Sequence, residues 1–376
     1  MAIKPIRLVK NTWRAASHAL ERRRHPSHFI LTDKTPWVEI FHDGIMSVRR
    51  YSLPPMDSIN VDGQPIGVSR EKKRMPILLV PALGIQPWTF DIMPNRSMVR
   101  YLMARGYDVY LLDWGRPSRS NRELTLNTYV NQWLPQAITA VQGHSDSEQI
   151  SLLGYCMGGL LCLMYLGSHT DAPVRNLITI ASPVNFHANG LYGKAFSLLS
   201  APAMKIYNKF QLRLEPLDTR MFHIPGNLLS IGFKMTNPPA VVASYLDLIR
   251  NINDREYVTE YMTMGQWFND MVDYPGATVR EVIEKMVIAN RMAGGQIEIG
   301  AHVAKLEQIN CSLLALAGST DNIATVGATK DILRLVGSQD KRFEVVPGGH
   351  AGVFAGSKAP SHTWRIIADW LAERSD

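Results

Sequence analysis

The stretch Ile150-Ser151-Leu152-Leu153-Gly154-Tyr155-Cys156-Met157-Gly158-Gly159 constrains the fold more than any other in the chain. An apolar run enters a glycine, a cysteine follows two residues on, and two more glycines precede the apolar run Leu160 to Leu166. Strand, tight turn and buried helix in that order form a nucleophile elbow, with cysteine at its apex. Side chains on the glycines beside the apex would collide with the strand or with the following helix. The turn lifts the sulfur above the sheet edge, against the first N–H groups of the helix. Their positive dipole end favours a thiolate and, later, an oxyanion. A glycine-rich turn holding an inert, buried cysteine would read the same over these residues alone, so the rest of the chain has to decide.

Apolar strand signals recur at 77–80, 109–112, 150–153, 176–181, 312–317 and 342–346. Helical spacing lies between or after them at 96–105, 126–142, 326–336 and 361–373. Such alternation implies an α/β fold with a mostly parallel sheet covered by helices on both faces. Right-handed crossovers then bring the strand C-termini, and with them Gly84, Asp113 and Cys156, to one edge. A hairpin is expected ahead of this pattern around His42-Asp43-Gly44, and 54–74 reads as surface loop.

Three regions follow from this reading: a basic N-terminal extension (1–36), a core (37–184 and 301–376), and an insertion (185–300) where the alternation lapses. The insertion is helical in flavour and rich in Met, Tyr and Phe. Over the strand ends it would form a cap above the nucleophile; extra helical core unrelated to the site is the alternative. In the extension, Lys4, Arg7, Lys10, Arg14, Arg22, Arg23 and Arg24 are interspersed with Ile6, Leu8, Val9, Trp13 and Leu20. That pattern suits a solvated surface helix or a docking element for a partner or lipidic surface.

Composition narrows the function classes. With 46% hydrophobic and 19% charged residues the 376-residue chain can bury a large core. It has no apolar run of the roughly 20 residues that span a bilayer, and no secretory signal, so a cytoplasmic protein without a transmembrane segment is expected. Three cysteines make no disulfide framework, which agrees with a reducing compartment. A net charge of +7 suits an anionic substrate such as a CoA thioester, a nucleic acid or an acidic surface, without choosing among them. The basic run at 70–74 has no aromatic stacking platform beside it, so no nucleic acid is expected. His18, His25, His28, His144 and His302 lack metal-ligand spacing, so no metal is expected either.

Cys156, Asp321 and His350 follow one another in the order nucleophile, acid, histidine, each just past a strand signal. His350 would exchange the thiol proton. Asp321 would hold the imidazole in its working tautomer. The backbone N–H groups of Met157 and Gly84 are the expected oxyanion donors. Cys162 and Cys311 read as packing residues, and Asp113 as a loop cap. A thiolate exchanging acyl groups with a CoA thioester trades one thioester for another at little free-energy cost, which leans towards acyl transfer over hydrolysis.

This order of residues is that of the α/β-hydrolase fold. Within it the chain resembles the polyhydroxyalkanoate synthases, especially the short ones that work with a separate subunit. The resemblance rests on Gly154-Tyr155-Cys156-Met157-Gly158-Gly159, on 108–115 (ending Asp113-Trp114-Gly115), and on Ser182-Pro183-Val184-Asn185-Phe186. It continues through Gly318-Ser319-Thr320-Asp321 and Gly349-His350-Ala351-Gly352-Val353. It implies polymerisation of 3-hydroxyacyl-CoA into polyester through a cysteine thioester, with release of CoA and no cofactor beyond that substrate. It also implies a second synthase subunit or a homodimer, association with the growing polyester or granule surface, and an aspartate that activates the substrate's 3-hydroxyl. The chain departs from the family at Asn322-Ile323-Ala324-Thr325, at 83–86, and at Met157, where short synthases commonly carry glutamine. A cysteine-dependent thioesterase or depolymerase, and a non-catalytic granule protein, remain as rival readings.

Overall fold

The computed structural model describes residues 20–21, 23–71, 75–188, 214–236 and 238–375. Residues 1–19 of the basic extension and 189–213 of the insertion therefore lie outside it. Eight strands, β1 (Trp37–Asp43), β2 (Met46–Tyr51), β3 (Ile77–Val80), β4 (Val109–Asp113), β5 (Ile150–Tyr155), β6 (Val174–Ile180), β7 (Ser312–Gly318) and β8 (Lys341–Val346), make one sheet. Their order is β1-β2-β4-β3-β5-β6-β7-β8, with β2 antiparallel to both neighbours and β4 to β8 parallel. Every residue of β3, β4 and β5 is buried, as two-sided cover of a parallel sheet requires. The winding reverses between β4 and β5, so the loops leaving β3 and β5 meet at the switch point, where such sheets hold their ligands.

The main helices are α1 (Met98–Ala104), α2 (Leu134–Ser145), α3 (Met157–Ser168), α4 (Gly226–Lys234), α5 (Pro238–Arg250), α6 (Arg255–Asn269), α7 (Gly276–Glu281) and α8 (Arg365–Ala372). Helix α3 is buried from Met157 to Gly167. An apolar surface all round suits only a core helix. Among the described residues, no helix is long and apolar enough to cross a membrane.

Three glycines let β5 and α3 fold back on each other. A Cβ on Gly154 would fall on the Gly159 backbone, one on Gly159 on the Ser182 side chain, and one on Gly158 on the carbonyls of Val80 and Pro81. Gly159→Ala is therefore expected to cost about 1–3 kcal/mol of stability by overpacking. Thermal unfolding reads this directly, and an unchanged melting temperature would mean that the strand and helix can part freely.

Several local elements differ from their sequence reading. The expected loop at 54–74 contains a hairpin, Ser58–Val61 with Gln64–Gly67, which turns at Asp62-Gly63 and buries Ile59 and Val61. The helix expected over 126–142 is a π-helical segment, Thr128–Trp133, followed by α2. Pro135 lies in the first turn of α2 and offers no N–H to the preceding turn, which accounts for the change of register. The helix expected at 326–336 breaks at Asp331 into Val326–Lys330 and Ile332–Leu335. An unforeseen hairpin, Gln296–Ile299 with His302–Lys305, packs against α3.

Candidate active site

Cys156 caps α3 with φ 51° and ψ −117°. A non-glycine residue in that region stores about 1–3 kcal/mol of strain and persists only where its surroundings enforce it. Here the enforcement comes from the glycine packing and from a hydrogen bond of the Cys156 N–H to the Ile180 carbonyl at 2.8 Å. The sulfur is partly buried and free of any disulfide.

His350 and Asp321 come from the loops after β8 and β7. His350 Nδ1 lies 2.8 Å from Asp321 Oδ2, with both side chains buried. Asp321 Oδ1 accepts the N–H groups of Ile323 and Ala324, each at 2.8 Å. Both carboxylate oxygens are thereby committed, and the aspartate side chain has no exposed surface. With Nδ1 engaged by Asp321, Nε2 is the ring nitrogen left for Cys156, whose charge the imidazole feels. Burial works against the imidazolium, but the charge of Cys156 and the Asp321 hydrogen bond outweigh it, and the His350 pKa rises to about 10. Tyr155 steadies the loop from below: its hydroxyl donates to the His350 carbonyl at 3.2 Å, and its ring lies 5.3 Å from the imidazole.

The loop after β3 faces this group. Gly84 adopts φ +80°, and among the described residues neither its N–H nor that of Met157 has an acceptor. The Gly84 carbonyl accepts the Val272 N–H at 2.9 Å, and Gln86 Nε2 donates to the Asp270 carbonyl at 2.9 Å. A Cβ at Gly84 would sit 3.1 Å from Tyr274 Cδ2 and 3.2 Å from Leu229 Cδ1. Residues of the insertion therefore lie directly on this loop. A cavity of about 860 Å³ runs between α4, α5 and α6 to the loops 320–323 and 349–352. Phe233, Met262, Met264 and Phe268 give it apolar walls, Lys234 a cation, and His350 reaches it.

The other singled-out residues serve packing. Burial pushes the Cys311 thiol up to about 12 and the Cys162 thiol higher still, away from any nucleophilic role. Asp113 pairs with Arg49 and accepts the Gly115 N–H at 2.8 Å, a structural loop cap. His144 bonds the Tyr110 hydroxyl, and His25 stacks on His28. Tyr155 and Tyr274 were not singled out from the sequence. Tyr155 lies inside the elbow motif, where a polar residue entering a buried turn was the available signal. Tyr274 carried none.

The alpha/beta hydrolase fold family matches residues 76–357. A poly(3-hydroxyalkanoate) polymerase subunit PhaC of Allochromatium vinosum is 30% identical, over 91% of this chain and 90% of its own. One of Haloferax mediterranei is 32% identical over 80% of this chain and 59% of its own, so this chain spans little more than half of that relative's length. A soluble variant of monoglyceride lipase from Saccharomyces cerevisiae, solved with a substrate analogue, has the same fold. Its TM-score is 0.53 at 14% identity, covering 92% of this chain and 98% of that one. An eight-stranded sheet in this order, an elbow at its switch point and these relatives together place the chain in the α/β-hydrolase fold and, within it, in the poly(3-hydroxyalkanoate) polymerase family, whose members are acyltransferases.

Proposed function

We propose that this chain polymerises 3-hydroxyacyl-CoA through a covalent thioester on Cys156. The observation that carries the reading is the chain Cys156–His350–Asp321, with cysteine at the strained apex and an imidazole poised to hold the sulfur's proton. The Cys156 sulfur attacks the thioester carbonyl, and the charge developing on oxygen meets the N–H groups of Met157 and Gly84. The carbon–sulfur bond to CoA then breaks, and His350 passes its proton to the departing CoA sulfur. In the next half-reaction a 3-hydroxyl oxygen attacks the acyl-cysteine. His350 accepts the hydroxyl proton, the Cys156 sulfur leaves, and an ester forms. The reaction needs no cofactor beyond the CoA carried by the substrate.

A growing polyester is apolar. The outward-facing Leu228, Ile231, Val242, Tyr245 and Ile249 on α4 and α5, with Met235 just after α4, support a surface that meets polymer, at cytoplasmic granules, with a second synthase subunit or a second copy as protein partner. Supplied with 3-hydroxybutyryl-CoA, the protein is expected to release CoA and form chloroform-soluble polymer. Free 3-hydroxybutyrate instead would make it a thioesterase. No CoA release at all would make it a non-catalytic binding protein.

A further inference from the structure

A tyrosine of the insertion packs on the loop that faces the catalytic group. Ile224 and Tyr274 exchange backbone hydrogen bonds of 3.1 and 2.8 Å, while Val272 bonds the Gly84 carbonyl. This double clasp lays the Tyr274 ring against Gly84, with Cδ2 and Cε2 at 3.1 and 3.5 Å from where a Cβ would stand. Its neighbour Asp273 is fixed in turn. One carboxylate oxygen accepts the Gly226 N–H at 2.9 Å, and the other lies 3.0 Å from His223 Nε2. The segment that carries the phenol is thus tied down by backbone hydrogen bonds and by the partly exposed Asp273, paired with His223, the kind of support that fixes a reacting group.

Among the described residues the Tyr274 hydroxyl makes no hydrogen bond. Burial raises its pKa, and the charge of Cys156 adds to the rise, so the oxygen keeps its proton and can donate it to a developing anion. Tyr274 is only partly buried, so its hydroxyl is not sealed in the core. Its ring edge packs on Gly84, and the charge of Cys156 is felt at the phenol, which sets the side chain beside the loop expected to meet the acyl oxygen of a bound thioester.

We propose that Tyr274 is a third donor to the acyl oxygen, supplied by the insertion, so that the oxyanion site is complete only while residues 270–274 clasp the loop after β3. The proposal rests on the polymerase reading above. As the sulfur adds to the carbonyl carbon, the carbonyl π electrons move to oxygen. Tyr274 shares its proton with that oxygen without transferring it, beside the N–H groups of Met157 and Gly84. The insertion then takes part in the chemistry as well as covering it.

Tyr274→Phe removes the oxygen and keeps the ring. Two reactions of Cys156 separate the effects: single-turnover acylation by 3-hydroxybutyryl-CoA, which builds an oxyanion, and alkylation by iodoacetamide, which does not. Acylation should slow by about 10²-fold, the loss typical for one oxyanion donor, and appear in kcat with little change in KM. Alkylation should stay within about twofold of wild type. Acylation at the wild-type rate in Tyr274→Phe would overturn the assignment alone. Equal loss of both reactions would make the ring a packing element and overturn it too. Wild-type protein that is alkylated but never acylated would overturn the polymerase reading and this inference with it.

Discussion

Cys156→Ala is expected to abolish CoA release from 3-hydroxyacyl-CoA, by roughly 10⁴-fold or more, because no other group can hold the acyl chain. Labelled acyl groups should remain bound to the wild-type protein after denaturation and not to the variant. Cys162→Ala and Cys311→Ala should retain CoA release, since both thiols are held protonated by burial. Activity surviving in Cys156→Ala and lost in either of the others would move the nucleophile. The same variant changes a second observable. His350 owes its raised pKa, against burial, first to the charge of Cys156. Without the sulfur its titration, followed by NMR, should fall well below about 10. The sign for stability follows. The folded chain binds this proton more tightly than the unfolded one, so the contribution is complete below about pH 6.5 and is lost as the pH rises through about 10. In Cys156→Ala that loss should move to lower pH.

What could be read in the sequence was local or followed from a rule about strand ends. The elbow is written in contiguous residues, because its steric demands fall on Gly154, Gly158 and Gly159 themselves. Asp321 and His350 could be placed because a parallel sheet gathers its strand C-termini on one edge. The contact between Gly84 and Tyr274 has no such signal. The two residues are far apart in the chain, and nothing local marks a tyrosine in a segment of irregular backbone as packing on that loop. The hairpin at Ser58–Gly67 was missed for a different reason. Its strands are four residues each, and Pro54, Pro55 and Pro65 made the stretch read as loop, although Asp62-Gly63 is a turn dipeptide. Helix bounds slipped at Pro135 and Asp331, where one backbone group rather than hydrophobic periodicity decides the register.

The second large effect separates His350 from Asp321. His350→Gln should lose both acylation of Cys156 and every later transfer, since glutamine can neither take the thiol proton nor accept one from an incoming hydroxyl. Asp321→Asn discriminates between two roles. The family resemblance implies activation of the 3-hydroxyl, which requires a carboxylate oxygen free to meet substrate. Here Oδ1 is filled by Ile323 and Ala324, Oδ2 by His350, and the side chain has no exposed surface. A carboxylate so committed can orient the imidazole and stabilise its charged form, and has no oxygen left for a hydroxyl. Asp321→Asn should therefore slow acylation and elongation together, by about 10³- to 10⁴-fold, as loss of the orienting carboxylate does in a triad. Single-turnover acylation measured beside steady-state CoA release reads both steps. Rapid acylation with poor elongation in Asp321→Asn would mean that the carboxylate leaves its present bonds during turnover to meet the hydroxyl, and rapid acylation by His350→Gln would sink the scheme.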